Sequence, residues 1–142
     1  MTGLELESGI VQTNIVGHTK ADGFTRLSRQ AAFNGEVKAG SNYILIDDFV
    51  GQGGTLANLK GFIESNGGKV MAAVTLTGKP HSARLALRDE QLKELRDKHG
   101  SLESWWENKF GHSFDSLTQS EARYLAKTKD ADTIRNRIAE AE

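Results

Sequence analysis

Cysteine is absent from all 142 residues, so neither a disulfide framework nor a thiolate metal site can form. An excess of either charge is also absent. The 18 Lys+Arg and 19 Asp+Glu leave a formal net charge of -1, which gives no reason to expect nonspecific nucleic-acid binding. No apolar run approaches the roughly 20 residues of a membrane span, and no secretory leader is legible. A cytoplasmic protein is expected, without a membrane or nucleic-acid partner. There is no internal repeat and no low-complexity segment. His18, His81, His99 and His112 show no ligand spacing. They are expected at the surface, and no metal site built from protein ligands is expected. The length suits one domain with a genuine core.

The informative stretch is Tyr43-Ile44-Leu45-Ile46-Asp47-Asp48-Phe49-Val50-Gly51-Gln52-Gly53-Gly54-Thr55-Leu56. Tyr43 to Ile46 is short, continuous and apolar, which predicts a buried parallel strand. Asp47 and Asp48 then fall at its carboxyl end, where open α/β sheets bind ligands. Neighbours on a strand point to opposite faces, so the two acids diverge. Gly53 and Gly54 permit positive φ and close approach of an anion. Thr55 can cap the following helix or donate its hydroxyl to a phosphate. Leu56, Leu59, Phe62 and Ile63 recur at helical spacing, and Asn66-Gly67-Gly68 stops that helix. Val70 to Leu76 is a second apolar run, which completes a β-loop-α-β unit with a parallel crossover. A Walker loop is excluded because the turn has no lysine, and a dinucleotide fingerprint because Leu56 replaces the third glycine.

The segment Asp47 to Leu56 resembles the motif with which type I phosphoribosyltransferases (PRTases) bind 5-phosphoribosyl-1-diphosphate, PRPP. The resemblance covers Gly40 to Thr77 well and extends loosely back to Ile10. The chain also looks similar to PRTase-like domains of large multidomain proteins from phages and mobile elements. The implied fold is α/β, a doubly wound parallel-sheet PRTase-like core, reduced at its N-terminus and followed by an all-helical extension. The implied domains are a core over residues 1–80 and a helical extension or hood over 81–142. The resemblance places Asp47 and Asp48 at the ribose hydroxyls, as substrate-binding and catalytic residues. Gly51, Gln52, Gly53, Gly54 and Thr55 would wrap the 5-phosphate, although Gln52 stands where the family has a small hydroxyl residue. Lys79, beyond the second strand, is a further candidate for the ligand. Lys20, Arg26 and Arg29 fall where the family has a mobile loop, and could meet the diphosphate. Mg2+ would arrive with PRPP rather than occupy a site of its own.

Outside this motif the expectations are plainer. Ile10-Val11 and Ile15-Val16 suggest a strand, Gly17 to Gly23 a loop, and Phe24 to Phe33 a short helix. Ser82 to His99 carries Leu85, Leu92 and Leu95 at helical spacing, and Gly100 is expected to break that helix. Trp105 and Trp106 belong to the next one, where core packing is favoured over stacking on a base. Thr118-Gln119-Ser120-Glu121 is a capping box that starts another helix. Ile134 and Ile138 mark the last.

Two functions follow. One is transfer of phosphoribose to a nucleobase-type nitrogen with release of diphosphate, a glycosyltransferase step in nucleotide metabolism. The alternative is a noncatalytic module that binds PRPP or a nucleotide 5-phosphate, as a regulator or a fragment of a multidomain protein. A homodimer, or a neighbouring domain of a larger protein, is the expected partner.

Overall fold

The apolar run at Tyr43–Ile46 becomes the middle of a strand longer than its own length. The computed structural model describes residues 3–14, 22–51, 53–78 and 85–142. In chain order its elements are β1 (Val11–Gln12), α1 (Gly23–Ser28), β2 (Phe33–Asn34), β3 (Asn42–Val50), α2 (Gly54–Ser65), β4 (Lys69–Gly78), α3 (Asp89–Phe110), a 3-10 turn (Phe114–Ser116), α4 (Gln119–Lys127) and α5 (Ala131–Ala141). The chain is therefore a mixed helix-and-sheet protein with a small parallel sheet.

That sheet has two strands, β3 and β4, joined through α2. Their parallel register aligns Leu45 with Ala73, Ile46 with Val74 and Asp47 with Thr75, with an irregularity at Tyr43/Ile44. The acid pair is thus inside β3, not beyond its end. Leu56 and Ile63 of α2 pack with Leu45 and Val50, which makes a small core under one face of the sheet. α2 ends as its sequence predicts, with Asn66 at the C-cap and Gly67 at φ 90°. A separate antiparallel pair joins β1 to β2, with Val11 opposite Asn34. Phe33, expected at the end of a helix, lies in β2, and α1 stops at Ser28. Ile15 and Val16 lie outside the described residues.

The larger core is helical. On α3, Leu95, His99, Leu102 and Trp106 form a buried stripe at spacings of three and four. Leu125 of α4, Ile134 and Ile138 of α5, and Phe114 pack against it. Trp106 stacks among Phe110 and Phe114, with ring centroids 4.4 and 5.9 Å away, so it packs helices together as expected. Phe24 and Leu27 of α1 belong to this cluster too. The capping box at α4 forms as read: the Thr118 hydroxyl accepts from the Glu121 N–H at 3.2 Å, and Glu121 Oε2 accepts from the Thr118 N–H at 2.8 Å.

The break expected at Gly100 falls one residue earlier: α3 is two helical segments that meet at a kink at His99 (φ -127°). His99 is also buried rather than at the surface, and its Nε2 meets the Leu125 carbonyl at 3.1 Å. Burial holds its imidazole below the ordinary histidine range. Arg96 bridges the kink with two bonds to Glu103, at 2.9 and 2.8 Å. The pair ties the two segments together across the kink. His112 is likewise no free surface residue, being part-buried and within 2.9 Å of the Gln30 amide.

Candidate functional site

Where β3 runs out toward α2, a cleft of about 520 Å³ opens between the sheet and the helical cluster. Its lining brings together Asp47, Asp48, Gly51, Gly53, Gly54 and Thr55. Arg26 and Arg29, expected at the diphosphate, line it too, so eight of the expected positions share one cleft. Gln52 and Lys79, as well as Lys20, lie outside the described residues.

The two acids differ in environment. Asp47 is half-buried and Asp48 exposed, as alternation along a strand requires. Asp47 Oδ1 accepts from the Asp48 N–H at 2.8 Å. Burial pushes the Asp47 carboxyl above its ordinary range, and the neighbouring Asp48 adds to the rise.

The glycine turn behaves differently from its sequence reading. Gly53 is the N-cap of α2, left-handed at φ 81°, where any side chain would be strained. Thr55 is not a cap: it lies inside the helix, and no side chain caps the N-terminus. Gly54 is helical and needs no special backbone. It is small because Glu121 of α4 presses on it: a Cβ there would stand 2.6 Å from Glu121 Oε1. Gly51 makes room in the same way for Arg26 of α1, whose Nη1 would lie 2.8 Å from a Cβ. Two glycines expected to admit a phosphate instead admit the chain's own arginine and glutamate.

Glu121 is the residue that sequence reading missed. It carried only the signal of a capping box, and nothing in its local sequence points to α2. Yet its carboxylate lies against the first turn of α2, the end of a helix that favours negative charge. Desolvation raises its carboxyl, against the pull of its bonds to Thr118 and of His112. The cleft also takes in Gln30, Asn58 and Arg29. Arg29 has no carboxylate partner among the described residues. No cluster of three potential metal ligands occurs among the described residues, and no described helix is long and apolar enough to cross a membrane.

These features define a mixed helix-and-sheet protein with a charged cleft between two hydrophobic clusters. No protein-family model matches the chain, and no solved structure does. The chain is 44% identical over 140 residues to Protein TraN of Escherichia coli, an alignment that takes in 98% of this chain and 31% of that protein. It is 43% identical over 60 residues to an uncharacterized protein of Haemophilus influenzae, across 42% of this chain and 13% of that protein. The chain thus spans less than a third of the length of either relative.

The TraN match overturns the function expected from the Asp47–Leu56 motif. Nearly the whole chain, motif and helical tail together, aligns with a protein named TraN and not with one named as a phosphoribosyltransferase. PRPP transfer falls, and so do the noncatalytic PRPP or nucleotide 5-phosphate module and the wider placing among transferases of nucleotide metabolism. The physical reason lies in the turn. The helix N-terminus that should hold the 5-phosphate is already faced by the Glu121 side chain, which takes up that space.

Proposed function

We propose that the chain is a binding segment of a longer, TraN-related polypeptide, and that its cleft takes a small zwitterionic molecule of the amino-acid type. One observation carries the reading. Asp47 and Asp48 of β3 line the same cleft as the guanidinium groups of Arg26, in α1, and Arg29, at its C-cap. Ionised carboxylates only accept hydrogen bonds and guanidinium groups only donate them. A ligand that satisfies both needs a donor end, such as an ammonium group, and an acceptor end, such as a carboxylate. Neither a simple anion nor a simple cation does so. The β3-α2-β4 unit, with its parallel register, supports reading the sheet as one part of a larger doubly wound sheet.

Calorimetric titration tests the cleft. The panel is L-arginine, L-glutamate and glycylglycine, set against putrescine as a cation alone and succinate as an anion alone. The zwitterions are expected to bind and the single-charge probes to bind weakly. Asp48→Asn and Arg29→Ala should each weaken binding about 10- to 100-fold, since a hydrogen bond to a charged group contributes ~1.5–3 kcal/mol. Equal binding of succinate, or no binding by any zwitterion, overturns the reading.

A further inference from the structure

The face of the sheet turned away from α2 is apolar and bare. Cross-strand register sets Ile44 beside Ala72 and Ile46 beside Val74, and Leu76 continues the row. Ile46 is 77% exposed and Leu76 84%. These are side chains of a sheet interior left facing water.

Parallel strands are found almost only where helices cover both faces, because their crossover connections place helices there. Here α2 supplies one cover and no described element supplies the other. The edges are open as well, since β3 and β4 pair only with each other among the described residues. Proteins that leave a strand edge free guard it with proline, inward charge or a bulge that twists it away. β4 has no proline and only Lys69 at its start is charged; an irregularity at Tyr43/Ile44 interrupts the pairing near that same end and leaves the row from Ile44 to Leu76 without one. A bare row of apolar side chains of this kind marks an interaction surface.

We infer that this face is covered by an amphipathic helix from the remainder of the longer polypeptide, with its aliphatic stripe on Ile46, Val74 and Leu76. The occupant follows from two facts. The parallel topology calls for a helix on this side. The E. coli relative has more than two thirds of its length outside the aligned segment, enough to supply one. The inference rests on the chain working as a segment of a longer polypeptide. It is independent of what the cleft binds.

The absence of cysteine makes the test direct. Ile46→Cys and Leu76→Cys are placed singly in this chain, and again in a chimera where this chain replaces the aligned segment of the E. coli protein. Glu140→Cys, at an exposed position of α5, is the control. Maleimide labelling at 46 and 76, read by peptide mass spectrometry, should be about tenfold slower in the chimera and unchanged at 140. Equal rates overturn the inference. So does slow labelling already present in the isolated chain together with a dimer by light scattering, because a second copy then covers the face. If the chimera fails to fold, hydrogen exchange decides. The segment aligned with β4 in the intact E. coli protein should exchange more slowly than β4 here, after correction for sequence, and equal exchange overturns the inference. Failure of the amino-acid titration leaves these rates untouched, so the two readings fail separately.

Discussion

Replacing Gly54 with alanine sets two effects of opposite sign against each other. At a helical position with no positive φ, alanine is favoured over glycine by roughly 0.5–1 kcal/mol. The new Cβ would stand 2.6 Å from Glu121 Oε1, closer than such atoms approach. Glu121 must then move, and it is not free to swing away. Its other oxygen accepts from the Thr118 N–H at 2.8 Å, and that bond closes the capping box of α4. Losing a hydrogen bond to a charged group costs about 1.5–3 kcal/mol. The clash therefore wins, and Gly54→Ala should destabilise the chain by about 1–2 kcal/mol net. Urea unfolding of four proteins measures it: wild type, Gly54→Ala, Glu121→Ala and the double variant. With Glu121 truncated, alanine at 54 meets open space and keeps only its helical advantage, so Gly54→Ala should become neutral or stabilising there. The coupling should equal the cost of the clash, about 1.5–3 kcal/mol. If Gly54→Ala stabilises the wild type, or if the two changes add, Glu121 does not rest on the turn and the account of the cleft fails.

Two further outcomes follow from the helical cluster. Glu103 is held below its ordinary range, first by Arg96, so its contribution is fully present above 4.5 and is lost as pH falls through the lowered folded-state value. Unfolding free energy followed from pH 6 downward should show this decline in wild type and a flatter limb in Glu103→Gln, and parallel curves would refute the link. Trp106 is fully buried among Phe110 and Phe114, so Trp106→Ala should cost about 3–5 kcal/mol, read as loss of cooperative thermal unfolding or a large fall in the urea midpoint.

Local signals in the sequence located the elements well where one period dominated. The run at Tyr43, the spacing of Leu56 to Ile63 and the Asn66-Gly67-Gly68 stop predicted β3 and α2, and Thr118 to Glu121 predicted a capping box that forms as read. Misreadings arose where a distant contact decided. His99 was read as a surface residue, and a contact with Leu125 of α4, distant in sequence, buries it. Phe33 was placed at the end of the helix that begins at Phe24, yet pairing with Gln12 draws it into a strand. The glycine-rich turn misled for a related reason. A missing side chain records that something approaches closely and says nothing of what. At Gly51 and Gly54 it is Arg26 and Glu121, supplied by helices far away in sequence. The six motif positions in the cleft were legible as a group, but the group's chemistry was set by residues the motif does not contain.

The placement of α1 also bears on how the chain is made. Its Phe24 and Leu27 pack in the helical cluster with Ile134 and Ile138 of α5, and Arg137 lies over the Phe24 ring. During synthesis, β3, α2 and β4 leave the ribosome while the partners of α1 have yet to be translated. The small sheet can assemble early, but the helical cluster has to wait for the last turns of α5 and then draw in a segment made near the beginning. At about 5–20 residues per second, that leaves α1 undocked for several seconds in each nascent chain.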